Sequence, residues 1–125
     1  MTDTLTVEEC WRYLSRTDIG RLAVAVEDGI DIFPVNYVVH DQAVFFRSAP
    51  GSKLMDVAAN PQVAFEVDGT RRGRHWSVVV RGAARRLDRD DEIEASGVLG
   101  LRTATPTDKW NYVRIDPTAV TGRLL

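Results

Sequence analysis

The chain has 125 residues, enough for one domain over 1–125 that buries its own core without covalent staples. Sixteen Lys and Arg against eighteen Asp and Glu leave a formal net charge of −2, which excludes the broadly basic surface that grips a nucleic-acid backbone. A single cysteine, Cys10, excludes an internal disulfide and any Cys/His metal cluster, and no apolar run approaches the ~20 residues of a membrane-spanning helix.

The N-terminal stretch MTDTLTVEEC has neither a basic n-region nor an apolar h-region, so the expectation is a cytoplasmic protein. Thr6-Val-Glu-Glu9 has the form of a capping box, in which the Thr6 hydroxyl accepts from the Glu9 amide and Glu9 reaches back. Val7, Cys10, Trp11 and Leu14 then fall on one helical stripe, with the helix ending near Arg16 and Cys10 acting as a small core hydrophobe. Leu22 to Val26 is β-rich, Asp28-Gly29 is a hairpin turn, and Ile30 to Val39 is the returning strand. Pro34 inside that strand calls for a bulge or an edge, because proline cannot donate to a ladder. After His40-Asp41-Gln42, Ala43 to Ser48 completes a three-stranded meander.

Ser52 to Asn60 reads as a short helix, stopped by Asn60-Pro61. Val63, Phe65 and Val67 alternate with polar residues in a half-buried strand, and Glu66 and Asp68 lie on its solvated side. The loop from Gly69 to Arg74 carries three arginines; Trp76 to Leu87 is a long strand broken at Gly82. Asp90 to Leu99 forms a helix, with Asp88 or Asp90 near its cap. Trp110 to Ile115 and Ala119 to Leu124 are two last strands separated by Asp116-Pro117. The fold class is therefore mainly β: an antiparallel barrel of six or seven strands with two or three outer helices. No βαβ alternation, GxGxxG or Walker A motif is present.

One stretch carries chemistry. Arg47-Ser48 ends a strand, Pro50-Gly51 turns, and Ser52-Lys53 opens the next helix. A helix N-terminus presents unpaired N–H groups and partial positive charge, so a lysine there opposes the dipole unless an anion offsets both. Arg47 can chelate two phosphate oxygens with its planar fork, and Gly51 lets a ligand approach the backbone. These residues together read as a phosphate monoester site; the bland alternative is a turn flanked by surface charges.

The segments GRLAV, DIFPVNYVVHDQAVFFRSAPGSKLMDVAANPQVAFEVD, HWSVVVRGAARRL and VRIDPTAVTGRLL resemble, in that order, the pyridoxamine 5′-phosphate oxidase-like family, and its small bacterial members above all. The resemblance covers Thr6 to Leu125 and implies a split β-barrel that binds a flavin at a homodimer interface. It implies that Arg47, Ser48, Ser52 and Lys53 hold the ribityl phosphate of FMN, and that Pro34, Val35, Asn36 and Tyr37 run beside the isoalloxazine ring. Trp76 and Ser77 would lie near the cofactor, with Trp110 and Arg123 serving the dimer or the partner's site. Tyr37 and Trp76 are equally readable as core or interface aromatics, and Asn36 as a residue that satisfies the irregularity at Pro34.

The implied activity is hydride transfer to or from a small-molecule redox substrate, with FMN or, as in related proteins, the deazaflavin F420. No acid–base pair identifies a catalytic residue, and neither His40 nor His75 is placed for one. The chain lacks a C-terminal segment rich in arginine and histidine, which argues against vitamin B6 oxidation. The alternatives are a flavin or F420 carrier without turnover, and a haem-binding split barrel.

Overall fold

The computed structural model describes residues 3–48, 60–98 and 111–125. In chain order these form β1 (Asp3–Thr4), α1 (Val7–Leu14), β2 (Ile19–Val26), β3 (Gly29–His40), β4 (Ala43–Ser48), β5 (Gln62–Arg71), β6 (Arg74–Arg86), α2 (Asp90–Ser96) and β7 (Asn111–Leu124). The expected helix residues 52–59, with Ser52 and Lys53, lie outside the described residues, as does Trp110.

The strands form one antiparallel sheet in the order β1-β7-β4-β3-β2-β5-β6, and β7 also pairs with β6. That last pairing closes β2 to β7 into a split β-barrel. The barrel is filled by alternate residues, among them Leu22, Val24, Val44, Phe46, Phe65, Val67, Val78, Val80, Val113 and Ile115. A second, smaller core lies outside the barrel wall, where Ala43 and Phe45 of β4 meet Leu87, Val98 and Ile93 of α2.

Helix α1 closes one end of the barrel. Its capping box forms as expected: the Glu9 amide donates to Thr6 Oγ1 at 3.1 Å, and the Thr6 amide donates to Glu9 Oε1 at 2.9 Å. The buried face is Cys10, Tyr13 and Leu14, while Val7 is exposed. Of the stripe expected from spacing, Cys10, Trp11 and Leu14 pack on the core, with Tyr13 beside them, and only Val7 does not. Helix α2 is shorter than expected, and its cap is Arg89, which makes no side-chain cap bond. Arg89 lies between Asp88 and Asp90, so the cap falls where the sequence placed it.

Strand β3 changes partner along its length. Gly29 to Asn36 pair with β2, and Tyr37 to His40 pair with β4. The Tyr37 amide donates to Asp18 on the β2 side, so by alternation the nitrogen of Pro34 points away from β2, where β3 is an edge. The edge expectation for Pro34 holds, and no bulge is needed there.

The two last strands expected from sequence are one. Gly82 pairs with Pro117 and Arg81 with Ala119, leaving Thr118 as the extra residue of a bulge. The Thr118 hydroxyl donates to the Arg81 carbonyl at 3.2 Å. The extra residue flips side-chain parity, so Val113 and Ile115 before it and Val120 and Leu124 after it all pack toward the core.

Candidate functional site

The register of β3, β4 and β7 assembles a polar row on the outer wall of the barrel. Tyr37 pairs with Phe46, which sets Asn36 beside Arg47, and Arg47 pairs with Tyr112. Phe46 points inward into the core, so Arg47 points outward, half-buried at the end of its strand. Ser48 follows opposite Asn111. Asn36, Arg47 and Ser48 each take part in a polar or electrostatic interaction. Below this row, Arg114 stacks over the Phe45 ring at 5.3 Å and donates to Asp116 at 2.6 Å, which fixes its charge within the wall.

Pro34 and Asn36 are exposed on the same outer face, and Val35 packs against the core between them. Tyr37 points inward and is only 1% exposed. Its hydroxyl donates to the Leu14 carbonyl at 2.6 Å and also bonds the Thr17 hydroxyl. Its ring stands edge-on to Phe65 at 4.9 Å. Burial raises its pKa to about 12. Tyr37 is a core residue of this chain, and toward an outer-face ligand it offers backbone only.

Trp76 is likewise buried, tilted against Tyr13 with ring centroids 4.9 Å apart. Ser77 faces outward and pairs with Asp68 on one side and Arg123 on the other. Two strands, β2 and β5, stand between Ser77 and Asn36, a separation of about 14 Å at ~4.8 Å per strand. One chain therefore brings Asn36 and Arg47 together and holds Ser77 apart from them.

Glu66 and Asp68 are not simply solvated. Both accept from Arg21, and Asp68 also meets His75 at 3.0 Å. This half-exposed network spans β2, β5 and β6. His40 sits at a turn with its ring 6.2 Å from Phe45. Among the described residues, no group of His, Cys, Asp and Glu could hold a metal ion, and no helix is long and apolar enough to cross a membrane.

The donor set of Asn36, Arg47 and Ser48 suits an anionic oxygen group: a guanidinium fork, a carboxamide and a hydroxyl at one strand end, with Arg47 Nε itself buried. Residues 6–124 match the pyridoxamine 5′-phosphate oxidase family. The chain belongs to that family. Its fold superposes on a Corynebacterium glutamicum protein assigned as a pyridoxamine 5′-phosphate oxidase, with a TM-score of 0.89 and 40% identity over 100% of this chain and 98% of that one. It is similar to the FAD-binding protein of Mycobacterium smegmatis, at 37% identity and TM-score 0.82 over 98% and 99% of the two chains. A FAD-binding protein of Mesorhizobium loti is 30% identical, with TM-score 0.87 over 99% and 96%.

Proposed function

We propose that this family member is a flavin-binding oxidoreductase that works as a homodimer. The observation that carries the reading is the Asn36–Arg47 row at the end of β4, in a chain whose similar solved structures include two described as FAD-binding. Arg47 and Ser48, with Ser52 and Lys53, would hold the flavin phosphate. The main chain of Pro34 to Tyr37 would run beside the ring, with Pro34 and Asn36 turning their backbone polar groups away from β2. The bound flavin supplies the hydride chemistry. This chain binds and orients it, and the barrel wall shields one face from water. The separation of Ser77 from Asn36 supports a shared site, since a second copy could bring its own β6 to a ligand held at Arg47.

The test is a titration of the purified protein with FMN, FAD and F420, followed by fluorescence, in wild type and Arg47→Ala. Charge-assisted hydrogen bonds contribute about 1.5–3 kcal/mol, so Arg47→Ala should weaken flavin binding roughly 10- to 150-fold. Arg72→Ala, at an exposed hairpin tip, should leave it unchanged. Binding of F420 in place of either flavin moves the protein to deazaflavin chemistry. Equal affinity in Arg47→Ala and wild type overturns the site. Turnover of a reductant by the loaded protein separates an oxidoreductase from a carrier.

A further inference from the structure

At the barrel mouth closed by α1 lies a cleft of about 180 Å³ that shares no residue with the Asn36, Arg47 and Ser48 row. Its floor is the Tyr13–Trp76 pair, and its rim carries Arg16, Thr17, Thr70 and Arg71. Gly69 belongs to this floor for a steric reason: a Cβ there would come within 2.9 Å of the Trp76 indole. The Arg16 guanidinium lies 5.6 Å from the Tyr13 ring centroid and that of Arg71 lies 5.7 Å from it. Cation–π contact thus holds both charges against one aromatic surface, while the N–H edges of each fork stay able to donate. Among the described residues, no acidic one lines the cleft. Among the described residues, neither arginine forms a salt bridge, although Arg21, Arg74, Arg85, Arg89 and Arg114 all do. Two like charges with no counter-ion repel, and an anion between them reverses the sign of that interaction. An apolar cavity of about 150 Å³ holds a benzene ring, so the cleft has room for one ring.

We infer that this cleft binds a small aromatic carboxylate, its anionic group between Arg16 and Arg71 and its ring against Tyr13 and Trp76. The Thr70 hydroxyl adds a neutral donor at the rim. Thr17 bonds Tyr37, so the rim is anchored to the barrel core.

The experiment titrates the full chain with benzoate, acetate and benzamide, followed by ¹H–¹⁵N spectra that resolve the Trp76 indole and the Thr17 and Thr70 amides. Benzoate should give saturable shifts at these groups. Benzamide, which lacks the charge, and acetate, which lacks the ring, should each bind at least about tenfold more weakly, the loss expected for one charge-assisted contact or one buried ring. Arg16→Gln and Arg71→Gln should each weaken benzoate by a similar factor, and Arg72→Gln should not. Both replaced side chains lie at the surface rim, and the dispersion of the spectra reports that each variant is folded. No saturation by ~20 mM benzoate overturns the proposal. So does benzamide or acetate binding as tightly as benzoate, or benzoate binding that survives both substitutions. Flavin affinity should be the same in Arg16→Gln and Arg71→Gln as in wild type, so failure here is distinguishable from failure at Arg47.

Discussion

Tyr37 places a titratable hydroxyl inside an otherwise apolar core. The group is satisfied by the Leu14 carbonyl and the Thr17 hydroxyl, so the neutral form is comfortable. Burial is the largest cause of its raised pKa of about 12, because the phenolate would lose its hydration. The unfolded chain releases this proton near pH 10, and the folded chain holds it to about pH 12. The contribution is therefore fully present below pH 10 and is lost as pH rises to 12. Urea denaturation of wild type should show a loss of about 2–3 kcal/mol across that window beyond what Tyr37→Phe shows. Tyr37→Phe should be less stable at pH 8, since it leaves the Leu14 carbonyl only the long contact from the Thr17 amide at 3.5 Å, but flatter above pH 10. Parallel pH profiles for the two proteins would mean that Tyr37 ionises freely in the fold.

Strand β7 shows how a local signal and a long-range one can conflict. Asp116-Pro117 reads as a turn because proline cannot donate to a ladder. The strand continues because the extra residue Thr118 and the partner Gly82 absorb the irregularity. A Cβ on Gly82 would collide with the Asp116 carbonyl oxygen, so the bulge depends on that glycine. Gly82→Ala should lower stability by about 1–3 kcal/mol, read as a fall in the urea midpoint with unchanged slope. An unchanged midpoint would mean that the wall yields there at no cost. The same distinction between local and distant information explains what was legible. The α1 cap, the β2–β3 hairpin and the Arg47–Ser48 strand end are contiguous signals, and the sequence displays them. Which side of its strand Tyr37 or Trp76 occupies depends on the closed barrel and on α1 plugging its mouth. The pairing of Arg16 with Arg71 across Tyr13 depends on both, and no spacing rule reaches it.

Among the described residues, an apolar stretch of barrel wall on β3 stands uncovered. Ile30 is 72% exposed and Ile32 is 68% exposed, side by side on one face of β3. Ile30 lies across from Ala25 and Ile32 across from Ala23, which in turn pairs with Ala64. The isoleucines therefore stand above a floor of small side chains, a shape that a second copy can fill. The Arg21–Glu66–Asp68 network borders this floor and supplies a charged rim. A two-fold contact would bury each isoleucine twice, at about 1.5–3 kcal/mol per side chain. The double variant Ile30→Lys, Ile32→Lys removes that burial and sets like charges across the two-fold axis. Sedimentation at about 50 µM, where an interface with a micromolar dissociation constant is largely formed, should show a dimer for wild type and a monomer for the variant. Because the proposed flavin site draws on both copies, the monomeric variant should also bind flavin more weakly, although Arg47 is untouched. A monomeric variant with undiminished flavin affinity would place the whole site in one chain, and a wild-type monomer would leave the isoleucine face without its proposed occupant.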